Sequence, residues 1–271
     1  MRYRLIAIDL DGTLLDEKKT VSPANAAALR RAAGSGVKIM ISSGRIFPEA
    51  ELCVRGLDSV SLISACNGAD IFDVAARREA GSRPLSAEAR DGIVAILRDS
   101  PLFYSLYTHD TVIIEKGIPA RFACYKAYIE GRFAHSVFVD DIRDPGPVIE
   151  GGVYKIYAMS PDKAETARVR AAIEGRADVE VSSSYANNIE ITARGVDKGS
   201  ALAAVEREYG IPREAMIALG DSENDLPMLN YAGLPIAMGN AEPCVLRAAK
   251  AVTLRNDEDG VAAAIEKYVL N

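Results

Sequence analysis

Three apolar runs in this 271-residue chain end in the same way, and that repetition constrains the fold more than any other feature. Residues 3–9 (YRLIAID) lead into Asp9-Leu10-Asp11-Gly12-Thr13. Residues 37–42 (VKIMIS) lead into Ser42-Ser43-Gly44-Arg45, and residues 215–220 into Gly220-Asp221-Ser222-Glu223-Asn224-Asp225. Short continuous apolar runs predict strands buried on both faces, as in a parallel sheet covered by helices. A glycine among small polar or acidic residues just past a strand's carboxyl end marks the edge where open α/β sheets bind ligands. Asp9, Asp11, Asp221 and Asp225 are therefore expected to converge on one crevice.

The segments between these runs alternate accordingly. A helix is predicted around Pro23 to Ala33, with Ser22 as N-cap, Pro23 at the first helical position, and Gly34 and Gly36 ending it. Another helix is read at Pro48 to Gly56 and a strand at 60–65. From Asp197 onward come helix 199–209, strand 215–220, helix 224–231, strand 234–238, helix 242–248, strand 250–253 and a last helix over 259–269. The middle of the chain has a different character. It combines helical stretches at Ser86–Arg98, Ala120–Glu130 and Asp162–Ile173 with short strands at 103–107, 111–115, 153–158, 179–183 and 188–192, an α+β pattern. The economical organisation is a discontinuous α/β core, residues 1–82 and 191–271, interrupted by an inserted module at 83–190.

Composition excludes several classes. Lys+Arg number 32 against 38 Asp+Glu, a net charge of −6, which argues against a general nucleic-acid or anionic-membrane binder. No apolar run reaches membrane-spanning length, and Asp9 interrupts the first one too early for a signal peptide. Cys53, Cys66, Cys124 and Cys244 are widely spaced with no C-x-x-C pair, as expected of a chain in the reducing cytoplasm. His109 and His135 read as surface or structural residues. Nothing in the sequence singles out an oligomer interface.

Bunched carboxylates repel by roughly 4 kcal/mol per pair at 4 Å and an effective dielectric near 20, so protonation or a hard cation must offset them. Oxygen-only ligands with no nearby His or Cys favour Mg²⁺ over zinc. Ser43-Gly44-Arg45 adds a hydroxyl and backbone N–H groups beside an expected helix start, a natural phosphate cradle. Lys198 can bring a point charge to the same edge.

The run Asp9-Leu10-Asp11-Gly12-Thr13-Leu14-Leu15 resembles the first motif of the haloacid dehalogenase superfamily of phosphohydrolases. Ser43-Gly44-Arg45 is similar to the second motif, Lys198-Gly199 to the third, and Gly220 through Leu229 to the fourth. Their order, and the long gap between the second and third, resemble the Cof-type subgroup. The resemblance implies a Rossmann-like parallel-sheet core with an inserted α+β cap of the C2B type. It also implies a Mg²⁺-dependent phosphomonoesterase acting on small phosphorylated metabolites, sugar phosphates first, with no nucleic-acid or membrane partner. By the same resemblance Asp9 is the nucleophile that forms an aspartyl-phosphate, and Asp11 the acid–base that protonates the leaving alkoxide. Mg²⁺ is held by Asp9, the Asp11 carbonyl and Asp221, with Asp225 supporting. Ser43 and Lys198 hold phosphoryl oxygens, Gly44 and Arg45 complete the phosphate loop, and Asn224 orients the site. Asn67-Gly68 matches a loop near the substrate entrance.

Plainer readings stand beside these. Arg45 serves equally as a structural ion-pair partner, Asp225 as a helix cap, and Asn67 as a turn residue. Asp16 and Glu17 read as solvated loop charges, and Arg121, Lys126 and Arg132 as a solvated face. Tyr104, Tyr107, Tyr154 and Tyr157 read as strand packing. Asn188, in Tyr185-Ala186-Asn187-Asn188, is a candidate reader of sugar hydroxyls or part of a plain turn. Two other functions fit the same residues: a phosphomutase using the same aspartyl-phosphate, and a phosphometabolite-binding module without turnover.

Overall fold

The computed structural model describes residues 2–117, 135–144, 146–149 and 151–271. The chain divides into two compact units: the chain up to Ser82 together with Val196–Asn271, and Arg83–Gly195.

In chain order the first unit begins with β1 (Leu5–Ile8), β2 (Lys38–Ser42), β3 (Val60–Ala65), β4 (Asp70–Asp73) and β5 (Arg78–Ser82). The inserted unit supplies β6 (Phe103–Tyr107), β7 (Val112–Glu115), β8 (Ser136–Val139), β9 (Lys155–Met159), β10 (Val179–Ser182) and β11 (Asn188–Ala193). The first unit then resumes with β12 (Met216–Gly220), β13 (Leu234–Ala237) and β14 (Ala251–Val252). Its eight strands form one sheet in the order β14-β13-β12-β1-β2-β3-β4-β5. Pairing is parallel from β14 through β3 and antiparallel for β4 and β5.

β1 is central and wholly buried, which is why Leu5-Ile6-Ala7-Ile8 carries no alternation: both faces are covered. Its register pairs Ile8 with Leu219 on one side and Ile41 on the other. The three polar clusters thereby emerge side by side at the carboxyl edge. Ser22 caps the helix Pro23–Gly34 by accepting from Asn25 N, as its sequence position predicts.

The inserted unit has a six-stranded sheet, β10-β11-β9-β6-β7-β8. Its pairing is antiparallel except between β7 and β8. Leu97 and Ile93 of the helix Ala87–Arg98 and Val169 and Ile173 of the helix Lys163–Glu174 are buried in this unit. The expected helix at Ala120–Glu130, with Arg121, Cys124, Lys126 and Arg132, lies outside the described residues.

The structure differs from the sequence reading at three places. The compact inserted unit runs to Gly195, beyond the expected 190, as β11 continues to Ala193 and pairs with both β9 and β10. The β4–β5 hairpin was not expected: β5 is mostly solvent-facing, so Arg78-Glu79-Ala80-Gly81-Ser82 lacks a strand's apolar pattern. β8 was likewise absent from the sequence reading. Among the described residues no helix is long and apolar enough to cross a membrane, and Cys53, Cys66 and Cys244 are free thiols.

Candidate active site

The first cluster leaves β1 in a tight loop. Gly12 sits at φ +88°, where a side chain is strained. A Cβ there would lie 2.4 Å from Asp221 Oδ2, so glycine lets the first loop approach the carboxylate of the last. Thr13 Oγ1 donates to Asp221 Oδ1 at 2.7 Å, and Asn240 Nδ2 donates to the Gly12 carbonyl at 2.8 Å. Gly12→Ala is therefore expected to destabilise the protein by about 1–3 kcal/mol and to displace Asp221. Thermal unfolding measures the first effect and metal titration the second. An unchanged variant on both measures would contradict the close approach.

Lys198 opens the helix Lys198–Tyr209, where Asp197 caps by accepting from Ser200 N and Ser200 Oγ accepts from Asp197 N. The Lys198 side chain is 0% exposed and donates at 2.6 Å to both Asp9 Oδ1 and Asp225 Oδ1. Asp225 Oδ2 accepts from the backbone N–H groups of Asp221 and Ser222. Both Asp225 oxygens are thus engaged in holding the loop and the ammonium. Asp221 is left facing Asp9, its oxygens accepting from Thr13 and Ser222 hydroxyls. Oxygens of Asp9, Asp221 and Asp225 lie within 4.8 Å of one another.

The charges do not balance. Burial raises the Asp9 carboxyl well above the ordinary range; Lys198 opposes this, while Asp225 and Asp221 add to it. Burial, reinforced by Asp225, pushes Asp221 up to about 6. Burial disfavours the Lys198 ammonium, but Asp225 and Asp9 outweigh it and keep the amine protonated. One ammonium therefore faces three buried acids, an arrangement that a second, hard cation on oxygen ligands would complete.

Asp11 points the other way. Arg45 grips it with two hydrogen bonds, Nε to Oδ2 at 2.7 Å and Nη2 to Oδ1 at 2.8 Å, and Lys19 Nζ donates to Oδ1 at 2.7 Å. Burial favours the neutral acid, but these two cations win and hold Asp11 well below the ordinary carboxylate range. The ion-pair reading of Arg45 is the one this geometry displays. Lys19 had no sequence signal: it sits at φ +60° in a turn that Asp16 organises by accepting from Thr20 N and Oγ1.

The second cluster is built beside this. Ser43 N donates to the Ser64 carbonyl, Arg45 N to Ser43 Oγ at 3.2 Å, and Asn67 N to the Ser43 carbonyl. Gly44 follows Ser43 in that loop. Asn67 adopts a left-handed conformation at φ 57°, and a Cβ on Gly68 would lie 2.2 Å from the Asp197 carbonyl oxygen. Gly68 thus brings this turn against the start of the Lys198 helix. Asn224 Nδ2 reaches Asn67 Oδ1 at 3.4 Å.

Asn188 is placed elsewhere, in β11 of the inserted unit. Its Oδ1 accepts from Ser184 N and Tyr185 N, and its Nδ2 donates to Ser184 Oγ and Glu190 Oε1. All four hydrogen-bonding positions of the amide are engaged within this turn. Thr13 and Asn240 were also missed. Thr13 lay inside the quoted first run, whereas Asn240 has no local signal.

A model of the haloacid dehalogenase-like hydrolase family matches residues 6–265. The chain is similar to the 5-amino-6-(5-phospho-D-ribitylamino)uracil phosphatase YcsE of Bacillus subtilis, 30% identical over 98% of this chain and 96% of the relative. It is 27% identical to the pyridoxal phosphate phosphatase YbhA of Escherichia coli over the full length of both. A haloacid dehalogenase-like hydrolase structure from B. subtilis superposes with a TM-score of 0.87 at 28% identity, covering 98% of this chain and all of that one. The subclass IIB sugar phosphatase BT4131 shares the fold, with a TM-score of 0.83 at 21% identity over 99% of this chain and all of that one.

Proposed function

The chain belongs to the haloacid dehalogenase-like hydrolases and is a phosphatase of that family, and from this premise we propose that it is a Mg²⁺-dependent phosphomonoesterase working through an aspartyl-phosphate. The preferred substrates are sugar phosphates, with pyridoxal phosphate and flavin-precursor phosphates in the same class. The observation that carries this reading is Lys198, buried between Asp9 and Asp225 with Asp221 alongside.

Each residue then has a task. Asp9 attacks phosphorus, forming an Oδ–P bond as the ester P–O bond breaks. Asp11, once it has taken up a proton from water, gives it to the departing alkoxide, then accepts one from the water that attacks the aspartyl-phosphate. Lys198 fixes the Asp9 carboxylate and contributes positive charge for the phosphoryl oxygens. Ser43, with the backbone of Gly44, cradles those oxygens. Asp9, Asp221 and the Asp11 carbonyl would hold Mg²⁺, with Asp225 behind them. Bound there, the ion supplies the positive charge that lets an anionic nucleophile meet an anionic phosphate. Choice among phosphate esters is assigned to the inserted unit, Arg83–Gly195.

Purified protein should release inorganic phosphate from a panel of phosphorylated metabolites with Mg²⁺, and lose that activity in EDTA. In ¹⁸O-labelled water the released phosphate should carry solvent oxygen. Transfer to a second sugar hydroxyl without label would indicate a mutase. No turnover across the panel would indicate a binding module.

Metal binding should also depend on pH with a defined sign. Asp221 has a raised pKa, about 6, in the metal-free protein. It must ionise to bind a cation, so Mg²⁺ affinity should rise with pH through about 6 and binding should release a proton. The folded state holds the Asp221 proton more tightly than the unfolded chain does. Its contribution to metal-free stability is therefore present at low pH and is lost as pH rises from about 4 through 6. Saturating Mg²⁺ should remove that loss. Calorimetry in two buffers of different ionisation enthalpy measures the proton, and paired melts with and without Mg²⁺ measure the rest.

A further inference from the structure

A leaving group can reach Asp11 only through a carboxylate oxygen, and both of these oxygens already accept from cationic donors. Arg45 Nε holds Oδ2, while Arg45 Nη2 and Lys19 Nζ hold Oδ1. An oxygen that carries a proton is a poor partner for a guanidinium N–H aimed at it, so protonating a leaving group favours moving the guanidinium at least partly away. Taking an arginine from a half-buried bidentate partner is costly unless another acceptor receives it.

Such an acceptor stands four residues further on. Glu49 is 6% exposed, and neither of its carboxylate oxygens accepts a hydrogen bond among the described residues. A buried carboxylate without a donor is an expensive exception that calls for a physical reason. Glu49 is the third residue of the helix Phe47–Cys53, whose N-cap is Ile46. An acid at that position has the reach to fold back toward the N-cap, as in a capping box, and the residue before the N-cap is Arg45. Ile46 itself makes no side-chain cap, so nothing local uses the Glu49 carboxylate. Cys53, one turn beyond Glu49, reports the neighbourhood. Burial raises its thiol pKa, and the charges of Arg45, Asp11, Glu49 and Lys19 all act on it.

We propose that Glu49 is the second station of the Arg45 guanidinium. With Arg45 on Asp11 the acid–base is held out of use, and with Arg45 moved to Glu49 an Asp11 oxygen is open to take a proton from water and pass it to the leaving group. Glu49 is then a positioning residue, acting on the reaction through Arg45. The inference rests on the reading of Asp11 as the acid–base.

The test compares two esters. p-Nitrophenyl phosphate leaves without needing a proton, whereas a sugar phosphate leaves as an alkoxide that does. Glu49→Gln is expected to lower kcat on the sugar phosphate by about tenfold or more relative to kcat on the nitrophenyl ester, with KM little changed. Glu49→Asp should recover part of that ratio. Glu49→Gln should also melt no lower than wild type, because neither Glu49 oxygen has a hydrogen bond to lose. An unchanged ratio, or equal losses on both esters, would overturn the proposal. A crystal structure with Mg²⁺ and tungstate decides independently of turnover: the guanidinium should lie on Glu49, and a retained bidentate Asp11 pair would refute the exchange. A wild-type protein that hydrolyses no ester would remove the phosphomonoesterase reading, while the tungstate structure would still decide where Arg45 goes.

Discussion

Asp9→Asn is expected to lower phosphatase turnover by at least about 10⁴-fold while leaving the fold intact. The substitution keeps the size of the side chain and an oxygen that can accept from Lys198, so the 2.6 Å contact survives in kind. It removes the negative oxygen that would bond to phosphorus, and an amide is too weak a nucleophile to replace it. Stability should move the opposite way from activity. Burial already drives the Asp9 carboxyl toward its neutral form, against Lys198 and with the help of Asp225 and Asp221. A permanently neutral side chain relieves that strain, so the variant should melt at or above the wild-type temperature. An inactive variant of undiminished stability would identify Asp9 by chemistry rather than by architecture. Retained turnover would remove Asp9 from the nucleophile's role, and inactivity accompanied by a large loss of stability would show a structural function instead.

The parts of the fold that could be read from the sequence are those where one local pattern serves one physical need. β1, β2 and β12 are buried on both faces, so their residues are continuously apolar, and the chain can turn polar only at their ends. The same local logic singles out Asp9, Ser43 and Asp221 as candidates, because ligand-binding groups on such a sheet sit where the strands stop. The β4–β5 hairpin obeys no comparable pattern, since β5 lies at the sheet's edge and faces solvent. Long-range pairing was equally hidden. The Asp11 side chain is claimed by Arg45, thirty-four residues away, and by Lys19 from a left-handed turn, and neither link has a spacing that marks it. At Asn188 the sequence left a ligand-hydroxyl reader and a plain turn side by side, because an amide serves either; its oxygen accepts from the turn's own backbone N–H groups.

Lys198→Met should be the variant that harms stability and activity together. The ammonium is fully buried and is the shared partner of two carboxylates, so deleting it strands Asp9 without its donor and leaves Asp225 with only its backbone contacts. Breaking a buried ion pair from one side costs about 3–5 kcal/mol, because the surviving charges keep their desolvation penalty. Methionine fills most of the vacated volume, so the loss is electrostatic rather than a cavity effect. That assignment has its own signature. Asp225→Asn, added to Lys198→Met, removes one stranded charge while keeping an oxygen to accept from the backbone of Asp221 and Ser222. The double variant should recover a substantial part of the lost stability. Lowering the pH should do the same for the single variant, by protonating the stranded Asp9, whose folded-state pKa burial already raises. Neither treatment should restore turnover, because no positive charge then stands beside Asp9 to steady it and meet the phosphoryl oxygens. Denaturant unfolding across pH, with phosphate release measured on the same samples, separates the two losses. A double variant as unstable as the single one would mean that Lys198 supports the fold by packing. A single variant that still turned over substrate would take Lys198 out of the active site.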